Sequence, residues 1–253
     1  GGEFLVADCR TFERAAHLEY VPMPGGEAAI KRPYRMALSY LYTLLGENIS
    51  LEGLPVGEVD PVERDVIARQ VRGRLNAPLT SSAGRLFDAV SALLGVRGEI
   101  DYDAQAAIEL EMLAWEETGD SESYTFSIDE EGPVRVVRLA DTISAITRDV
   151  RNGVSVATIS RRFHRTIAAL IASMCALIAE ERRIDRVLLS GGVFQNRLLL
   201  RLTTAAIKRE GLRVFTHRRV PGNDGGIALG QAVVAHFASD CVCLPPRTQR
   251  TLR

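Results

Sequence analysis

Two short apolar runs in the last third of the chain break on glycines and then turn helical. The first is VLL followed by SGGVFQN, residues 187–196; the second is VFT followed by HRRVPGNDGG, residues 214–226. This order of strand, loop, helix, strand, loop, helix constrains the fold more than any other stretch. If the two strands are parallel neighbours, both loops leave the sheet at its carboxyl edge and share one crevice. Gly191 and Gly192 lack a Cβ, so backbone N–H groups can approach an anion, and the positive end of the following helix favours a phosphate there. A tight strand-to-helix turn is the plainer account of a single glycine pair. Asn196 suits two uses equally: capping its helix, or turning its amide to a ligand's hydroxyl or phosphate. In the second loop, Asp224 stands where a carboxylate can ligate a hard or borderline cation beside a phosphate. Its commoner role is to cap the helix beginning near Gly226.

Upstream, the patterning is mostly helical. The run GGEFLVADCR opens as a strand with Phe4 and Val6 on one face, and the turn-rich PMPGGE follows at 22–27. Four helices are expected within 31–117. KRPYRMALSYLYTLLG stops at Gly46. DPVERDVIARQVRGRL starts on Asp60 as cap, Pro61 at the first position and Glu63 at the third, the pattern of a capping box. TSSAGRLFDAVSALLG sets Leu86, Val90 and Leu93 on one face, and DAQAAIELEMLAWEE aligns Ile108, Met112 and Trp115. An acidic hairpin is expected over 119–140. Helices then cover 141–150 and 155–183, the longer with Ile159, Phe163, Ile167, Leu170, Met174 and Leu177 at helical spacing.

In the third upstream helix, Gly84, Arg85 and Asp88 lie away from the apolar face. A carboxylate projected into a cleft accepts two hydrogen bonds from a ribose diol, with a glycine leaving room above it. An exposed Arg85–Asp88 pair, contributing only a few tenths of a kcal/mol, reads equally well.

Composition narrows the classes. The 253 residues are 46% apolar, enough to close the core of one or two domains. A net charge of −1 leaves no basic excess for nonspecific nucleic-acid binding, so no nucleic-acid partner is expected. No apolar run of roughly 20 residues stands out as a membrane span, and no signal peptide opens the chain. Cys9, Cys175, Cys241 and Cys243 form no CxxC pair, which fits a reducing, cytoplasmic setting. His17, His164, His217 and His236 form no HxxxH or HExxH pair. His164, in its apolar stripe, reads as a hydrogen-bonded, partly buried residue rather than a catalyst. There is no G-x-S-x-G elbow and no Walker-type GK[ST], against hydrolase and P-loop readings. No side chain stands out as a catalytic acid or base.

Six blocks in order, GGEFLVAD, PGGEAAIKRPYRMAL, TSSAGRLFDAVSALLG, AQAAIELE, SGGVFQNRLL and VPGNDGGIALGQA, resemble the carboxyl-terminal part of the hydrogenase maturation carbamoyltransferases of the HypF family. The resemblance implies an actin-like fold of the sugar-kinase, RNase H-like kind, related to the threonylcarbamoyl-transferring enzymes of tRNA modification. It implies a remnant of the first lobe at 1–25, a helical insertion at 26–118, the second lobe at 119–240 and a loose tail at 241–253. It also implies ATP and carbamoyl-adenylate as ligands, with Ser190, Gly191, Gly192 and Asn196 on the nucleotide, Asp88 on the ribose and Gly84 beside it. The expected acceptor is the carboxyl-terminal cysteine of a HypE-like partner, on the way to the cyanide ligands of the [NiFe] site. Asp224 resembles a metal ligand, but the family completes that site with an HxxxH pair which this sequence lacks. A divalent metal would therefore need ligands from upstream domains of the same polypeptide. A chain opening without Met, directly on a strand, reads as a cut through a larger protein, with a truncated first lobe and exposed apolar surface at its sheet. An antibiotic-type O-carbamoyltransferase and a noncatalytic docking module of the same fold are the alternatives.

Overall fold

The computed structural model describes residues 1–117, 122–130 and 132–238. Three strands open the chain, β1 (Glu3–Ala7), β2 (Phe12–Leu18) and β3 (Val21–Pro22). The helical stretch holds α1 (Glu27–Lys31), α2 (Pro33–Leu44), α3 (Pro61–Gly73), the short β4 (Leu79–Thr80), α4 (Ala83–Leu93) and α5 (Gln105–Glu116). After it come the hairpin β5 (Ser127–Asp129) and β6 (Arg135–Arg138), then α6 (Ala140–Arg151) and α7 (Val156–Arg182). The last part is β7 (Arg186–Leu189), α8 (Arg197–Arg209), β8 (Arg213–Thr216) and α9 (Ile227–Ala238).

Local chemistry accounts for most boundaries. Asp60 caps α3 by accepting from the N–H groups of Val62 and Glu63 at 2.8 and 3.2 Å. The expected reciprocal half of that capping box is absent, because the Glu63 carboxylate is taken by the Tyr34 hydroxyl at 2.8 Å and the Arg35 guanidinium at 2.5 Å. Ser82 starts α4 by accepting from Arg85 N–H, and Ser155 starts α7 by accepting from Thr158 N–H. α7 ends at Arg183, which adopts a left-handed conformation at φ 53°.

Three departures from the sequence pattern concern a face, a length and a strand. In α5 the side chains in the core are Ala106, Leu110 and Ala114, while Ile108, Met112 and Trp115 are exposed. Both sets satisfy helical spacing. α4 and α7 pack closely against α5, and small alanines permit that approach. α7, at 27 residues, is long and apolar enough to cross a membrane by length and composition, contrary to the expectation that no such run exists. Ile159, Phe163, Leu170 and Met174 are instead buried against neighbouring helices. β2 is a strand that the hydrophobic pattern does not signal, since Glu13 and Arg14 interrupt its alternation.

The strands form a four-stranded sheet in the order β1-β2-β6-β5, a β3-β4 pair and a β7-β8 pair. β2 runs parallel to β6 with His17 opposite Val136, and β7 runs parallel to β8 with Val187 opposite Val214. One core extends from Ala16 to Leu199 and takes in α2, α4, α6 and α7. A smaller cluster of Ala172, Leu189, Ala206 and Ile207 lies behind β7, and Ile171 and Phe194 pack against both. Among the described residues, β1 and β7 each pair on one side only. Leu188 on β7 is 72% exposed, and α9 is exposed from Ile227 to Phe237. The tail at 241–253, with Cys241 and Cys243, lies outside the described residues, as do 118–121 and 131 in the hairpin region.

Candidate functional site

The parallel pairing of β7 and β8, in register from Arg186 opposite Arg213 to Leu189 opposite Thr216, delivers both loops to one sheet edge. Gly191 N–H donates to the Gly222 carbonyl at 2.7 Å, tying the first loop to the second. Ser190 Oγ lies 2.9 Å from His217 Nε2, a second tie. A Cβ on Gly192 would stand 3.9 Å from that of Asn223. Gly191 has φ +103°, a region L side chains rarely adopt, so glycine here shapes the turn. The chain then makes a 3-10 turn, Gly192–Gln195, and enters α8.

Asn196 engages both ends of its carboxamide. Its Oδ1 accepts from Leu199 N–H at 2.7 Å, capping α8, and its Nδ2 donates to His164 Nε2 at 2.9 Å. The cap is therefore made, and one Nδ2 hydrogen remains for another acceptor.

Asp224 does not take the cap role that was the alternative to metal binding. Asn223 caps the turn instead, its side chain accepting from Gly225 N–H at 3.1 Å, while Asp224 is exposed. Among the described residues, no three His, Cys, Asp or Glu side chains group to hold a metal. One exposed carboxylate does not fit a metal centre, which normally needs three or four protein ligands or a substrate phosphate.

Asp88 is neither an exposed pair member nor a carboxylate in an open cleft. It is 1% exposed, with Oδ2 2.9 Å from Arg85 Nη2. Burial pushes its carboxyl up to about 6, against the attraction of Arg85. Asp88 Oδ2 makes no hydrogen bond, nor do the buried Tyr40 hydroxyl, Arg85 Nη1 or Ser91 Oγ. Such a cluster of unmade bonds in a core is a place where a ligand or water restores what burial removed. Above Gly84, an added Cβ would meet only Ser82 Oγ, at 3.6 Å, so the space there is open.

The two halves of the site meet through aromatic rings. α4 packs against the Gly192–Gln195 turn. Phe87, beside Asp88, lies edge-on to Phe163 and His164 with centroids 4.8 and 5.2 Å apart. His164 and Tyr40 are the members that the sequence did not single out for this site. Ser160, whose carbonyl meets His164 Nδ1, is one turn away in the sequence, but Asn196 is 32 positions distant.

The architecture is a mixed α/β domain that brings two glycine-bearing loops to one sheet edge, with α4 packed against the turn of the first. Within that class, the chain belongs to the family of the carbamoyltransferase Kae1-like domain, second subdomain, whose model matches residues 1–231. It is 33% identical over 256 residues to carbamoyltransferase HypF of Synechocystis sp., covering 96% of this chain and 32% of the relative. With carbamoyltransferase HypF of Rhodobacter capsulatus it shares 36% over 237 residues, covering 93% of this chain and 30% of the relative. Among solved structures, full-length HypF in the phosphate- and nucleotide-bound form is similar at TM-score 0.85 and 40% identity, over 94% of this chain and 30% of that one. HypF of T. kodakarensis is similar at TM-score 0.79 and 28% identity, over 95% of this chain and 32% of that one. The chain thus spans about a third of the length of these relatives.

Proposed function

We propose that this chain is the carbamoyl-transfer part of a HypF-like enzyme of the cytoplasm, built as the second lobe of an actin-like fold with a helical insertion. ATP or carbamoyl-adenylate seats its phosphates on Ser190, Gly191 and Gly192 and its ribose toward Asp88, with Gly84 leaving room. Arg85 must turn aside for the ribose to reach the carboxylate. The free Nδ2 hydrogen of Asn196 and the amides of the turn donate to the phosphate oxygens as negative charge gathers there. The thiolate of the carboxyl-terminal cysteine of a HypE-like partner attacks the carbamoyl carbon. An S–C bond forms, the C–O bond to the adenylate phosphate breaks, and AMP leaves with the electron pair. No proton need be taken by this chain, which accords with His164 being neutral and engaged at both nitrogens. Upstream domains of the same polypeptide would supply the adenylate, and the product leads to the cyanide ligands of the [NiFe] site.

The observation that carries this reading is the Gly191 to Gly222 bond joining the two loops. The nucleotide in the 40% identical relative supports it. The test is calorimetric titration with ATP of wild type, Asp88→Ala and Asn196→Ala, each checked for folding by circular dichroism. Loss of heat in both variants supports the pocket; heat unchanged in both places the nucleotide elsewhere.

A further inference from the structure

We propose that His164 is a positioning residue: it holds the Asn196 carboxamide, and through it the SGG turn, in the single shape that receives the nucleotide. The proposal rests on the nucleotide reading above and adds a residue to it. The His164 ring is fully buried. Its Nδ1 lies 2.8 Å from the Ser160 carbonyl, an acceptor only, so Nδ1 carries the hydrogen. In the neutral ring Nε2 is then bare, and it can only accept. Asn196 Nδ2 donates to it at 2.9 Å.

This fixes the orientation of the Asn196 amide. With its nitrogen held by His164, its oxygen faces Leu199 N–H at 2.7 Å. A flipped amide would point its oxygen at a bare nitrogen and its NH₂ at a backbone N–H, losing two bonds at once. Burial pushes His164 down to about 4, with Arg161 nearby acting in the same direction, so the ring stays an acceptor throughout the neutral range. Ser160 is itself anchored, its hydroxyl donating to the Leu110 carbonyl at 2.6 Å. Phe87 and Phe163 flank the ring edge-on. The chain Leu110, Ser160, His164, Asn196, Leu199 thus links α5, α7 and the start of α8. Phe87, next to Asp88, braces it from α4.

The test compares His164→Phe with His164→Gln in the full chain. Phenylalanine keeps a ring among rings but offers Asn196 no acceptor, whereas glutamine keeps one within reach. Amide exchange is read at Phe194, Asn196 and Leu199, with α2 as control, and ATP affinity is read by calorimetry. The expected result for His164→Phe is exchange about tenfold faster at those three amides with α2 unchanged, and ATP binding weaker by about tenfold. His164→Gln should stay within about twofold of wild type on both. Equal behaviour of the two variants, or acceleration spread evenly into α2, would overturn the assignment, since either marks a ring that only fills the core. If wild type binds no ATP, the nucleotide reading falls alone, and the exchange comparison still decides the role of His164.

Discussion

Replacing Asp88 with asparagine removes the carboxylate that α4 carries into the core. In the folded chain burial raises this carboxyl from 3.8 to about 6. The folded state therefore holds its proton more tightly than the unfolded state does. The contribution of Asp88 to stability is therefore greatest below about pH 4, where both states are protonated, and falls as pH rises to about 6, where only the unfolded state has fully ionised. About two pKa units at about 1.4 kcal/mol each amount to about 3 kcal/mol lost by pH 7. Asparagine has nothing to ionise. The difference in unfolding free energy, Asp88→Asn minus wild type, should climb by about 3 kcal/mol between about pH 4 and pH 7. Urea unfolding at half-unit pH steps measures it. Loss of the Arg85 partner adds an offset that depends little on whether a proton is present in the unfolded chain, so the slope is diagnostic and the level is not. Glu19 is also raised by burial, but it is common to both proteins and cancels. A difference that stays flat across the window would refute the buried-carboxylate argument.

Three further outcomes follow from the same geometry. Gly191→Ala should cost about 1–3 kcal/mol by backbone strain at φ +103°, since nothing lies within 4 Å of the added methyl; an unchanged urea midpoint would contradict this. Asp60→Ala should cost about 1 kcal/mol through the lost cap of α3, read from thermal unfolding. The exposed apolar side chains of β1, β7 and α9 should make the chain self-associate, with a mass in light scattering that rises with concentration and falls for Leu188→Glu. A monodisperse monomer at all concentrations would count against that.

Features whose cause lies within a few residues were legible in the amino-acid order. Asp60, Ser82 and Ser155 cap helices because the groups they bond are two or three positions away. The SGG and NDGG turns follow their strands because glycine and a broken apolar run act locally, and the order of elements was enough to place both loops at one edge. Tertiary structure alone decided which of two helical faces of α5 is covered, since Ala106, Leu110 and Ala114 fit the spacing as well as Ile108, Met112 and Trp115. It alone turned Asp88 from a surface charge into a buried acid, because the shell around it comes from α2 and α4 together. It alone joined His164 to Asn196. Burial and hydrogen bonding between distant segments depend on where the chain returns, and no short window of residues carries that information.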